Sequence, residues 1–219
     1  ALTDSSACGL CMECLRACPS DNLALNIRPF GDDLQSAAPA RRLDEAFFSS
    51  VMLGSALAFA AVFTGPWGAL KAATYAIGSL EWVVYAAGFM TLNLGVLPGL
   101  FTLAVSLSNR AEKQTSLRTA IANNAQALLP LGMMSWIAFT LSFALPKAHY
   151  VLSVMSDPFG WGWNLFRTAG AEMYTGLTGP SQILQIGALL GGLIWSVSVT
   201  RKKTPGWRAS LPVVVFFLI

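Results

Sequence analysis

Four stretches of the chain carry no charged residue and are each long enough to cross a bilayer: 46–70, 82–109, 119–146 and 173–200. About 20 consecutive apolar residues in a helix span the hydrocarbon core. Inside that core each backbone N–H and C=O must find a partner within its own helix or in a closed barrel. Long continuous apolar runs fit helices, whereas barrel strands alternate. A fifth apolar run starts at 209 and reaches only Ile219, which is short for a span. The expected fold is an all-α integral membrane helical bundle over 41–219, preceded by a small N-terminal segment over 1–40.

Composition supports the same reading. Hydrophobic residues make up 54% of the 219 positions and charged residues 11%, where a soluble domain carries about a quarter charged. The net charge of +3 does not point to nucleic acid, because the basic residues sit at the ends of apolar runs, where membrane topology accounts for them. Arg41 and Arg42 precede the first stretch, Arg110, Lys113 and Arg118 separate the second and third, and Arg201, Lys202, Lys203 and Arg208 follow the fourth. The opposite connections hold only Lys71, Lys147 and Arg167. The positive-inside tendency then puts the N-terminal segment and the basic loops on the cytoplasmic side of a multi-pass cell (inner) membrane protein. The chain opens on Ala1 instead of Met and closes within an apolar run, so further sequence is expected at both ends.

All four cysteines lie in one short motif. Residues 8–19 read CGLCMECLRACP, a C-x2-C-x2-C-x3-C-P pattern formed by Cys8, Cys11, Cys14, Cys18 and Pro19. Three thiolates at three-residue intervals let one tight loop wrap a cubane, each sulfur reaching a different iron, with intervening amides placed to hydrogen-bond the sulfides. Structural zinc sites more often use two separated ligand pairs, so the spacing favours a 4Fe-4S cluster. The cysteine before proline has two roles open to it. Cys18 either completes one site with Cys8, Cys11 and Cys14, or ligates a second cluster whose other ligands come from upstream sequence or a neighbouring subunit. Residues 22–27 after the motif alternate in a way that suggests a short strand over the cluster.

With CGLCMECLRACP, the following DNLALNIRPFGDDL, and the later PW, LLPLG and SDPFGWGW segments, the chain resembles membrane-bound polyferredoxin-type 4Fe-4S binding proteins. That group includes the quinol-oxidising membrane ferredoxins of nitrate respiration. The resemblance implies a ferredoxin-like N-terminal segment, electron transport, other subunits of a redox complex and a quinone as membrane acceptor. Such relatives usually carry several cysteine motifs, where this chain has one.

Other residues invite smaller readings. His149 is the single histidine, which makes a bis-histidine haem within this chain a poor fit. A quinone or partner contact could use His149 with Tyr150 or Asp157, walled by Trp161 and Trp163. The competing reading is that the 147–172 connection, rich in amphipathic aromatics and broken by Asp157-Pro158 and glycines, lies along the outer membrane surface. Asn93, Asn123, Asn124, Gln126, Gln182 and Gln185 are expected to join helices, and Gly187, Gly191 and Gly192 to let them approach closely. No acid or base stands at the centre of a span, with Glu81 at a helix end, which argues against an ion transporter. The expected function is a non-catalytic electron-transfer subunit of an oxidoreductase complex; the alternative is a structural or redox-sensing anchor of a respiratory assembly.

Overall fold

A computed structural model of the chain describes residues 11–19, 29–35, 43–64, 68–112, 116–170, 178–204 and 206–218. Contacts divide the chain into two units, Ala1–Ala38 and Pro39–Ile219. The described parts of the first unit hold two short helices, α1 (Glu13–Ala17) and α2 (Asp32–Gln35). The alternating stretch at 22–27 lies outside the described residues.

The second unit contains α3 (Leu43–Thr64), α4 (Gly68–Tyr75), α5 (Leu80–Thr91), a π-helical turn (Leu92–Val96), α6 (Leu97–Glu112), α7 (Leu117–Ala125), α8 (Leu128–Ala144), α9 (His149–Ser156), α10 (Thr178–Lys203) and α11 (Trp207–Leu218). Every regular element among the described residues is a helix. Four helical stretches among the described residues are long and apolar enough to cross a membrane: Leu43–Phe63, Leu80–Ala111, Leu117–Ala144 and Thr178–Lys203. The protein is thus an all-helical multi-pass candidate, as its charge-free stretches imply.

Burial is arranged as a bilayer demands. Most of the buried side chains are small, including Ala46, Ala56, Ala58, Ala120, Ser49 and Ser196, set around a few large ones such as Phe101 and Leu128. Large aliphatics such as Leu57, Val84, Leu103, Ile183 and Ile194 point outward. In water, an exposed apolar area of this extent would drive aggregation. In lipid it costs nothing, and small interior residues let backbones close on one another.

The element boundaries depart from the charge-free stretches for identifiable reasons. The first spanning helix ends at Thr64 instead of continuing to 70, because Gly65-Pro66 follows and a residue before proline disfavours the helical region. The second stretch is interrupted by the π-helical turn, where Leu97 N–H donates to the Leu92 carbonyl. Pro98 supplies the cause: it lacks an N–H and crowds the carbonyl four residues back, so the helix widens ahead of it.

The third stretch breaks at the Gln126–Ala127 turn and restarts as α8. The first amides of α8 need partners outside a regular ladder. Leu129 N–H donates to the Gln126 carbonyl, and Leu131 N–H donates to the Ser196 hydroxyl of α10 at 3.0 Å. Pro130 between them has no donor to satisfy.

The fourth helix runs on to Lys203. Three basic residues therefore form its last turn, where cations complement the helix dipole.

The main packing pairs are α8 with α10, α3 with α8, and α6 with α11. Glycines set the closest approaches. A Cβ on Gly192 would sit 2.7 Å from Met134 Cβ and 3.3 Å from the Pro130 carbonyl. One on Gly132 would meet Met52 Cε at 2.7 Å. Gly187 and Gly191, by contrast, face open space on the outer side of α10. Of the three glycines expected to bring helices together, Gly192 alone does so; at 3.6 residues per turn, its neighbours fall on another face.

The polar side chains inside the spans divide similarly. Gln185 Nε2 donates across to the Ala138 carbonyl at 2.9 Å, and Trp136 Nε1 donates to the Met52 carbonyl at 3.1 Å. Lys203 Nζ donates to Gln126 Oε1. Asn124 Oδ1 accepts a long bond from Thr204, while its amide donates to Ala120 of its own helix. Asn93 donates to the Phe89 carbonyl on its own helix, and its buried Oδ1 has no hydrogen-bond partner among the described residues.

Candidate metal centre

Within the first unit, the described part of the cysteine motif is a left-handed residue followed by a single helical turn. Met12 has φ 59° and ψ 7°, a conformation a non-glycine residue adopts at some cost in strain. It reverses the chain between Cys11 and Glu13. Helix α1 starts directly after it, with Cys14 in its first turn, and ends at Cys18, which is extended at φ −80° and ψ 110°. Pro19 cannot continue the helix because its ring removes the donor, and the residue before it is pushed to extended geometry. Cys14 and Cys18 are four residues apart, a spacing that returns to one side of a helical turn.

Cys11 and Cys14 are exposed thiols outside any disulfide, and Cys18 is half-buried. Glu13 and Arg16 form an exposed ion pair at 3.7 Å, of a kind worth little in water. Beyond the motif, Gly31 takes φ 77° and its carbonyl accepts from Leu34 N–H at 3.1 Å, closing the turn into α2.

The thiols fit an iron-sulfur site by their chemistry. Cluster iron binds thiolate sulfur, and thiols that are reduced and open to solvent are available for it. The described residues alone do not assemble a metal site: no group of three or more His, Cys, Asp or Glu side chains converges among them. Cys8, the first ligand of the motif, lies outside the described residues.

The other candidate residues lie on the connection after α8. His149 opens α9, and Tyr150 is exposed on it. The Asp157 carboxylate is used structurally, with Oδ1 accepting from Trp161 N–H at 2.9 Å and Oδ2 from Gly162 N–H at 2.8 Å. Trp161 and Trp163 are exposed and touch each other edge to face, with centroids 5.1 Å apart.

Two apolar cavities open elsewhere on the bundle. One of about 550 Å³ lies among Leu53, Leu100, Leu131, Leu193 and Phe216, and the other, of about 610 Å³, among Ala58, Ala73, Tyr85, Gly88 and Phe89. Among the described side chains, Tyr150, Asp157, Trp161 and Trp163 line neither. The π-helical turn, which buries Asn93 against Gly54, was not anticipated from charge-free length; Pro98 within the stretch was its signal.

Comparison of the chain with protein-family models, with curated proteins and with solved structures gives no match.

Proposed function

We propose that this protein is a membrane-anchored 4Fe-4S electron-transfer subunit of a redox complex. It relays single electrons between a peripheral redox partner and a membrane acceptor such as a quinone. The observation that carries the reading is the C-x2-C-x2-C-x3-C-P motif of Cys8, Cys11, Cys14 and Cys18 on a chain with four helices able to span a bilayer.

In this reading Cys8, Cys11 and Cys14 hold three irons of one cluster. Cys18 supplies the fourth ligand or a ligand to a second cluster. When bound, such a cluster takes up and gives back one electron at a time. Exposed thiols at Cys11 and Cys14 would leave the cluster edge close to a docking partner. The basic residues around the spans support a cytoplasmic position for the motif in a cell membrane.

The test is spectroscopic. Anaerobically purified protein should contain iron and acid-labile sulfide in equal amounts, and reduction should produce a paramagnetic signal. In the parent complex that signal should appear and decay with turnover. Zinc in place of iron sinks the cluster, and a signal fixed during turnover sinks the relay in favour of a structural role. Electron flow that continues after Cys11→Ser has abolished the signal also removes the relay.

A further inference from the structure

Residues 145–170 expose a broad apolar and aromatic surface and bond several of their polar groups to one another. Helix α9 has no partner among the main helix-packing pairs. Tyr150, Val151, Leu152, Val154 and Met155 on it are between 47% and 59% exposed, while its buried residue is Ser156, at 0%. The turn that follows shows Phe159 at 64%, Trp161 at 68% and Trp163 at 41% exposure. Leu165 and Phe166 continue the same exposed apolar surface.

Several polar groups bond to one another within the segment, while Arg167 stays at the surface. Ser156 Oγ donates to Asn164 Oδ1 and accepts from Phe166 N–H, both at 3.1 Å, while its carbonyl accepts from Leu165 N–H at 3.2 Å. Ser153 Oγ donates to the Thr168 carbonyl, and Thr168 Oγ1 donates back to the Leu152 carbonyl at 2.8 Å. The sole acid of the turn spends both carboxylate oxygens on the amides of Trp161 and Gly162. Gly160 and Gly162, at φ 67° and 81°, take the left-handed conformations this winding needs. The rings then brace one another, with Phe159 stacked on Trp161 at 4.9 Å and Trp163 edge-on to both.

A segment that bonds many of its polar groups internally and exposes apolar and aromatic side chains, with a cation at its surface, is suited to the boundary between hydrocarbon and headgroups. Its place along the chain says which medium. Residues 145–148 separate the end of the spanning stretch Leu117–Ala144 from the start of α9 and form tight turns, with Lys147 N–H donating to the Phe143 carbonyl and Ala148 N–H to that of Leu145. The segment therefore starts where the helix leaves the hydrocarbon. Tryptophan and tyrosine favour that level, with ring bodies in the acyl boundary and N–H or O–H groups among headgroups.

We infer that residues 149–166 are a preformed wedge that lies in the headgroup layer of the same bilayer, with Phe159, Trp161 and Trp163 as its inserted tip. The inference goes beyond the electron-transfer reading and does not depend on it. Its occupant is phospholipid, and a covering protein is the rival outcome.

Trp fluorescence decides between them. The full-length protein is reconstituted in phosphatidylcholine vesicles, and its emission is compared with that of Trp161→Phe/Trp163→Phe. The difference spectrum, which reports the tip alone, should be blue-shifted and resist acrylamide added to the water. It should lose more intensity to lipid brominated near the carbonyl end of the chain than to lipid brominated near the methyl end. A tip quenched mainly by acrylamide, or by none of the three agents because protein covers it, overturns the inference. Should the double variant fail to insert, Trp161→Phe alone gives the same comparison.

Discussion

The cysteine segment and the helical bundle store their information in different ways. The segment's content is ligand spacing: Cys11 and Cys14 are exposed, and the described residues around them bury little. The bundle's content is contact, with places such as Gly54, Gly132 and Gly192 where one added carbon meets a neighbour below 3 Å. A chain element held by a cofactor draws its folding free energy from the bound group. An element held by close packing loses stability with each mismatch. The two regions should therefore fail independently, and under different insults.

The largest expected effect follows from that independence. On the proposed cluster reading, Cys11→Ser or Cys14→Ser should remove most of the iron and the reduced-state paramagnetic signal, because a cluster missing a thiolate ligand is poorly held. The helical content of the bundle and its unfolding midpoint should stay at wild-type values by circular dichroism. Chelation of the metal should do the same. A bundle that melts together with the cluster would show the two regions to be one cooperative unit.

The converse experiment strikes the bundle and spares the motif. Gly192→Ala places a Cβ 2.7 Å from Met134 Cβ and 3.3 Å from the Pro130 carbonyl. Neither the start of a side chain nor a backbone oxygen is easily moved, so α8 and α10 must part. Overpacking of this kind costs about 1–3 kcal/mol, readable as a lowered midpoint in denaturant unfolding from mixed micelles. Iron content per folded molecule should not change. A smaller loss is expected from Ser196→Ala, which leaves Leu131 N–H of α8 without its acceptor at 3.0 Å. Cross-helix hydrogen bonds in membranes contribute about 0.5–1.5 kcal/mol, and the loss should appear in the same unfolding measurement.

Much of the bundle was legible in the sequence because lipid imposes a coarse rule: long, uncharged and helical. That rule finds the four stretches but not their ends or breaks. Thr64, the π-helical turn ahead of Pro98 and the Gln126–Ala127 break are all set by local backbone chemistry that charge-free length ignores. Nor does it tell which face of α10 is inward, and Gly192 separates from Gly187 and Gly191 only once its neighbours are known. The motif is the opposite case. The chemistry proposed for it is written in residue spacing, and Cys8, the first thiol of that spacing, lies outside the described residues. Asp157 is one of the partners the sequence offers beside His149, and in the fold both its oxygens accept from backbone amides. A carboxylate followed by glycines at turn spacing was the available sign of that role.

The smallest effect is the sharpest check on how the bundle is packed. Gly187 and Gly192 lie on the same helix, α10, five residues apart, and composition gives no reason to treat them differently. A Cβ on Gly187 meets nothing within 4 Å, so Gly187→Ala adds only a methyl group on an outward face and removes the flexibility of a mid-helix glycine. Alanine is favoured over glycine there by about 0.5–1 kcal/mol. The variant should unfold at the same midpoint as wild type or slightly above it. Opposite signs for Gly187→Ala and Gly192→Ala would fix the inward face of α10 by measurement. Equal losses at both positions would mean that a second surface, from lipid or another chain, presses on the outer side of this helix as closely as α8 does on its inner side.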